Sequence, residues 1–318
     1  QACHGGAFPG DHRRLSRCDP AQPLRLGTRD RGGHRLPLLA RGVVRHGADH
    51  RRRWRVRGDG DRPARAEGPR GENGRVMCME RIGVVGLGRM GSAMARKLAA
   101  SGAAVTGWTR SGRMVEGVAA APDLAALIDA SDTVILSLYD DAAVSETLDA
   151  LLQHNLAGRL ILETSTVVPQ ILIDRAGAFA AKGAQVADAP VSGGPEMVAA
   201  GTCGFFLGAD PEVAERAQSV LARITPRVLH MGPLGAGMVM KTINNGMIQA
   251  YIEALRDMLP LAKRAGITLA DALTVLNNGP AGTNVIRDRM PRILGEDTSV
   301  GFTPKGMLKD NDVFRRVI

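Results

Sequence analysis

Residues 80–102, ERIGVVGLGRMGSAMARKLAASG, restrict the fold of this chain more than any other stretch. A short apolar run reaches Gly86, glycines recur at Gly88 and Gly91, and an amphipathic helical pattern follows. The G-x-G-x-x-G spacing has a mechanical reading. The first glycine permits a tight turn, the second lets a pyrophosphate approach the backbone, and the third lets the helix pack closely on the strand. Leu87, Arg89 and Met90 fill the positions between them, so the turn 86–91 is the expected phosphate cradle. Unpaired N–H groups at the start of the helix would face the anion. Three glycines can also make a plain turn; the strand before them and the helix after them favour a dinucleotide site.

The following strand, AAVTGW, ends at Trp108 without the Asp or Glu that would hold the ribose hydroxyls of NAD. Thr109, Arg110, Ser111 and Arg113 come next. An Arg here accommodates the 2′-phosphate of NADP, which a guanidinium binds through a planar fork; the alternative is a solvated surface Arg. NADP is therefore the favoured cofactor and NAD the other candidate.

Alternation continues with APDLAALIDAS as helix, DTVILSLY as strand, DAAVSETLDALLQ as helix and GRLILETST as strand. A helix over 169–182, a strand AQVADAPV, a further strand and helix from Gly204, and RVLHMG complete the pattern. Such alternation predicts an α/β chain with a Rossmann-type, mostly parallel, doubly wound sheet over residues 80–239. After Gly237 the pattern turns helical. MVMKTINNGMIQAYIEALRDMLPLAKRAG reads as one long helix, expected to bend around Pro260, and shorter helices follow. Residues 240–318 form the expected helical domain.

The net charge of +9 invites a nucleic-acid reading, but its distribution removes that reading from the body. Residues 1–79 hold 18 Arg and no Lys against 8 acidic residues, which leaves 23 basic and 24 acidic residues in 80–318. This Gly- and Pro-punctuated tail has neither helical nor strand periodicity, contains no Ile or Tyr, and is expected to be disordered. A basic nucleic-acid arm is one reading of it. Translated GC-rich upstream DNA ahead of a start at Met77 or Met79 is the preferred one, and nucleic acid is not the expected partner. Of the four cysteines only Cys203 lies in the body; no metal or disulfide framework is implied, and a cytoplasmic setting fits. No apolar run is long enough to span a membrane.

In residues 80–318, five motifs stand in order: GLGRMG at 86–91, ETSTVVP at 163–169, DAPVSGGPEM at 188–197, GAGMVMKTINN at 235–245 and LKD at 308–310. Together they resemble the β-hydroxyacid dehydrogenase family, which includes 3-hydroxyisobutyrate dehydrogenases and tartronate semialdehyde reductases. The resemblance implies that Ser192, Gly193 and Gly194 hold a substrate carboxylate. It makes Lys241 the catalytic lysine and Asn245 its partner, one turn apart on one helix face. Thr166 is implied to lie along the cofactor and Lys309 near its nicotinamide end. Leu138 and Tyr139 belong to a cofactor-touching loop whose usual Leu-Pro-Asp is here Leu-Tyr-Asp. Members assemble as homodimers or homotetramers through the helical domain. Their pattern continues past the Lys-Asp motif, so the helical part is expected to be incomplete at Ile318.

The implied activity is reversible hydride transfer between NADP(H) and a small β-hydroxyacid or aldehyde acid: tartronate semialdehyde, succinic semialdehyde, glyoxylate or the 3-hydroxyisobutyrate type. Lys241 would be the proton donor and acceptor. An imine reductase is a second reading, opposed by Lys241, which those relatives usually replace. A third is an inactive NADP-binding scaffold with a basic nucleic-acid-binding tail.

Overall fold

The computed structural model describes residues 80–298 and 304–317. The Arg-rich tail, and with it the disorder expected there, lies outside the described residues. Strand β1 (Arg81–Val85) carries four consecutive buried residues, the signature of a central parallel strand covered on both faces. It is flanked by β2 (Ala104–Trp108) and β4 (Thr133–Leu136), both parallel to it. The two-residue β3 (Ala119–Ala120) lies outside β2, and β5 (Leu160–Glu163) and β6 (Gln185–Asp188) continue the parallel run beyond β4.

Nine strands among the described residues share one sheet in the order β3-β2-β1-β4-β5-β6-β8-β7, with β9 (Val228–Gly232) paired to β8 (Gly204–Gly208). The first six follow the 3-2-1-4-5-6 order of a dinucleotide-binding sheet, whose crevice opens where the order reverses, between β1 and β4. Strands β7 (Val191–Ser192) and β8 depart from the parallel pattern: β8 runs antiparallel to β6 and β7. AQVADAPV is also not one strand. Pro190, which has no N–H for a ladder, separates β6 from β7.

Helices cover both faces. On one face α1 (Arg89–Ala100), α5 (Pro195–Ala200) and α6 (Pro211–Leu221) bury Met94, Leu98, Val198 and Leu221. On the other α2 (Leu124–Asp129), α3 (Asp141–Leu151) and α4 (Gln170–Ala181) bury Leu127, Leu148, Leu172 and Phe179. Each such fully buried side chain contributes roughly 1.5–3 kcal/mol. Helix α7 (Ala236–Arg264) runs through Pro260, which offers no N–H to the carbonyl one turn back. With α8 (Leu269–Asn278) and α9 (Asn284–Ile293) it forms a separate small core around Leu255, Leu273 and Ile286. Helix α10 (Pro304–Val317) returns to the sheet, where Arg316 pairs with Asp141 at the start of α3. Among the described residues no helix is long and apolar enough to cross a membrane.

Candidate active site

The glycine turn occupies the carboxyl end of β1, and its three glycines do different work. Gly86 has φ +91°, and a Cβ there would lie 2.3 Å from the Ser137 carbonyl oxygen. A Cβ on Gly91 would lie 1.9 Å from the Gly86 carbonyl oxygen. Gly88 is different: a Cβ there would meet nothing within 4 Å. Turn geometry and close packing thus require Gly86 and Gly91, whereas Gly88 keeps open a cradle beside the start of α1. That helix has no side-chain cap and no acid in its first turn, so its end N–H groups and dipole favour an anion. Leu87 is buried in the core, Met90 packs against it, and Arg89 pairs with Glu196 at 3.4 Å. These residues fit the pyrophosphate of a nicotinamide dinucleotide.

The two arginines after β2 are separated. Arg110 pairs with Glu146 of α3 at 3.2 Å, on the surface. Arg113 turns back to donate to the Leu87 carbonyl at 3.4 Å. It lines a cleft of about 770 Å³ with Gly88, Arg89, Arg96, Lys97 and Glu196. Thr109 is half-buried and Ser111 exposed.

Across the crevice, Leu138 donates its amide to the Ser165 hydroxyl at 2.8 Å. The exposed Tyr139 ring sits 5.9 Å from Lys305 and 6.0 Å from Lys309. Lys309 donates to the Thr166 carbonyl at 2.8 Å and pairs with Asp310 at 2.8 Å. Thr166, Tyr139 and Lys309 are therefore neighbours, brought together by α10 although they are far apart in sequence.

Lys241 is buried in the second turn of α7, and its Nζ donates to the Val191 carbonyl at 2.5 Å. Val191 precedes Ser192, so the amine stands beside the Ser192–Gly193–Gly194 segment. Gly193 has φ +128°, which bends the chain out of β7. Burial drives the Lys241 amine down from its ordinary value to about 8; Asp310 opposes the shift and Lys309 adds to it. Asn245 lies one turn on and is half-buried, and its side-chain oxygen accepts from Asn244 at 3.1 Å. It makes no hydrogen bond to Lys241 among the described contacts, so the helix brings the two onto one face without joining them.

Two buried carboxyls complete the site, and sequence reasoning gave neither a role. Glu163 and Asp188 end the adjacent strands β5 and β6 and are register partners. One Glu163 oxygen accepts from the Ser165 amide at 2.6 Å, while the other, Oε2, is buried without a partner. Burial raises Glu163 from 4.5 to about 7, and raises Asp188 from 3.8 to about 6 against the amides that bond it. The signal available was an acid at the end of each of two apolar strands, where an unpaired charge is costly.

A raised carboxyl favours the folded state below its unfolded pKa, and that contribution disappears as pH rises through the folded value. For Glu163 the window runs from 4.5 to about 7 and is worth roughly 3 kcal/mol. Glu163→Gln should therefore raise the melting temperature at pH 8 relative to the native chain, with a smaller gain or none at pH 5. Equal effects at both pH values would mean that Glu163 does not hold a buried proton.

Residues 81–232 match the NAD binding domain of 6-phosphogluconate dehydrogenase. Residues 235–317 match the family described as NAD-binding of NADP-dependent 3-hydroxyisobutyrate dehydrogenase. The NAD-dependent L-serine dehydrogenase of Pseudomonas aeruginosa is 30% identical over 247 residues, covering 73% of this chain and 83% of that one. The 2-(hydroxymethyl)glutarate dehydrogenase of Eubacterium barkeri is 29% identical over 239 residues, covering 72% and 79%. Among solved structures, the Mycobacterium tuberculosis 3-hydroxyisobutyrate dehydrogenase with L-serine superposes with a TM-score of 0.69 at 25% identity, covering 75% of this chain and 86% of that one. Sequence, sheet order and site geometry agree: the chain belongs to the β-hydroxyacid dehydrogenase family, of the 3-hydroxyisobutyrate dehydrogenase type.

Proposed function

We propose that this chain is an NADP(H)-dependent dehydrogenase of a small carboxylate bearing a β-hydroxyl, and of the corresponding aldehyde acid. The observation that carries the reading is the buried Lys241 amine, held by the carbonyl of the residue before Ser192 and lowered to about 8. When bound, the nicotinamide ring supplies or takes up the hydride. The chain's own residues hold the substrate and move the proton. The Ser192 hydroxyl and the backbone N–H groups of Gly193 and Gly194 offer donors to the carboxylate. In reduction the Lys241 ammonium gives its proton to the developing alkoxide and stabilises the negative charge. In oxidation the neutral amine takes the hydroxyl proton. An amine near 8 is present in both forms close to neutral pH, so one residue serves both directions. Asn245 orients substrate or amine without changing charge, and Thr166 and Lys309 flank the nicotinamide side.

The relatives named for L-serine, 2-(hydroxymethyl)glutarate and 3-hydroxyisobutyrate share one piece of substrate chemistry, a CH₂OH group on the carbon next to the carboxylate's. That group is the class proposed here. Ser192→Ala should raise KM for such acids about tenfold, the loss of one hydrogen bond to a charged group, while NADPH affinity stays unchanged. An unchanged KM would remove Ser192 from the carboxylate site.

The NADP preference is supported by the missing acid after β2 and by Arg113 in a cation-lined cleft beside Gly88. Titration of NADPH against NADH should favour NADPH, and Arg113→Glu should weaken NADPH about tenfold or more with little effect on NADH. Equal affinity of the native chain for both cofactors would refute the preference. Self-association is part of the same reading, supported by Ile243, Met247, Met258 and Leu261, which stand exposed along α7. Light scattering of the purified chain should show a dimer or a larger assembly, and a monomer would remove it.

A further inference from the structure

The carboxylate of Asp188 joins two things the mechanism needs to keep in register: the sheet end that presents Ser192 and the helix that carries Lys241. Asp188 is fully buried at the carboxyl end of β6. Its Oδ1 accepts from the Gly235 amide at 2.6 Å and its Oδ2 from the Met238 amide at 2.7 Å. Helix α7 supplies no side-chain cap of its own; its N-cap is Gly235, at φ +92°. The strand residue therefore does what an N-cap side chain does within a helix, accepting from orphan amides of the first turn.

The fit is tight. A Cβ on Gly208 would lie 2.2 Å from Oδ1, and one on Gly237 would lie 2.8 Å from Oδ2 and 2.1 Å from the Phe206 carbonyl oxygen. Helix, carboxylate and β8 meet with no room for a side chain on either glycine. Three residues beyond Asp188, the Val191 carbonyl accepts from Lys241, which lies three residues beyond Met238. The segment 188–191 thus holds α7 at two successive levels. Apart from Leu255, the buried residues of α7 (Gly237, Met238, Lys241 and Thr242) fall in these same first turns.

We propose that Asp188 is a positioning residue for Lys241: it docks the first turn of α7 onto the end of β6 and so sets where the amine stands relative to the Ser192 segment. The proposal rests on the reading of Lys241 as proton donor. Asp188 acts through the helix, both of its oxygens being taken up by the Gly235 and Met238 amides.

The test uses the full chain and Asp188→Asn, which keeps the shape but offers one acceptor where two are used. Two readouts are taken together: steady-state kinetics, and acetylation of Lys241 by acetic anhydride, scored by mass spectrometry against the exposed Lys263 of the same helix. Docking by Asp188 predicts a fall in kcat of up to about a hundredfold, as for a misplaced catalytic group. NADPH affinity should stay within about twofold, because the glycine turn is untouched. Lys241, protected in the native chain, should become reactive. If Asp188→Asn does not fold, Asp188→Ser asks the same question with a smaller side chain, whose one hydroxyl cannot bridge the Gly235 and Met238 amides together. A folded variant of either kind with unchanged kcat and a still-protected Lys241 overturns the proposal. Absence of turnover in the native chain would instead defeat the proposed function, and the acetylation readout would still report whether Asp188 places the amine.

Discussion

Lys241→Met loses the reduction reaction by a factor of about 10²–10⁴, the contribution of a positioned general acid, while NADPH affinity stays within about twofold. Methionine keeps the long apolar stem that the buried site accommodates and removes only the ammonium. The Val191 carbonyl loses its partner, at a cost of roughly 1–3 kcal/mol, while removal of an ammonium whose burial lowers its pKa to about 8 offsets that cost. Activity must still be compared below the melting transition of the variant. Lys241→Arg separates charge from proton transfer. A guanidinium stays protonated at all working pH values, so oxidation, which needs a neutral base, should fail. If Lys241→Met retains the native kcat, the proton comes from another group.

The second large effect concerns cofactor binding, and the contrast between two glycines carries it. Gly91→Ala puts a methyl 1.9 Å from the Gly86 carbonyl oxygen, a backbone atom that cannot move without moving the turn. It should lower stability by about 1–3 kcal/mol, the usual range for overpacking, and abolish measurable NADPH binding with it. Gly88→Ala puts its methyl into open space. The fold should keep its stability, whereas NADPH binding should weaken at least about tenfold, because the methyl fills the cradle into which the pyrophosphate comes. Calorimetric melting and fluorescence titration of the two variants give both numbers. Native NADPH affinity in Gly88→Ala would show that the phosphates do not pass this glycine.

What could be read in advance divides along physical lines. The glycine turn and the β1 and α1 pattern were legible because local sterics dictate them: Gly86 needs positive φ and Gly91 needs contact with backbone. The parallel order followed from strand–helix alternation. The antiparallel turn of β8 onto β6 and β7 was not legible, because chain direction within a sheet is set by pairing between segments far apart in sequence and leaves no local period. Pro260 lies within α7, as the reading of one long helix expected, and packing over the rest of a 29-residue helix outweighs one missing hydrogen bond.

The site shows the same division. Lys241 and Asn245 could be placed on one helix face by spacing alone, but not the carbonyl that holds the lysine, which comes from residue 191. Arg110 and Arg113 read alike in sequence. The fold sends the first to Glu146 and the second to the cleft beside Gly88. Asp188 and Glu163 were present in the quoted motifs, yet their burial and their pairing across β5 and β6 depend on register.

The central claim is that one buried lysine exchanges the proton in both directions of the reaction. Its most direct test is the pH dependence of kcat/KM for reduction of an aldehyde acid by NADPH and for oxidation of the matching β-hydroxyacid by NADP⁺. With Lys241 near 8, reduction should fall as pH rises through that value and oxidation should rise through it, two limbs of opposite sign sharing one midpoint. Parallel limbs, or reduction that continues undiminished well above that pH, would contradict Lys241 as the proton donor.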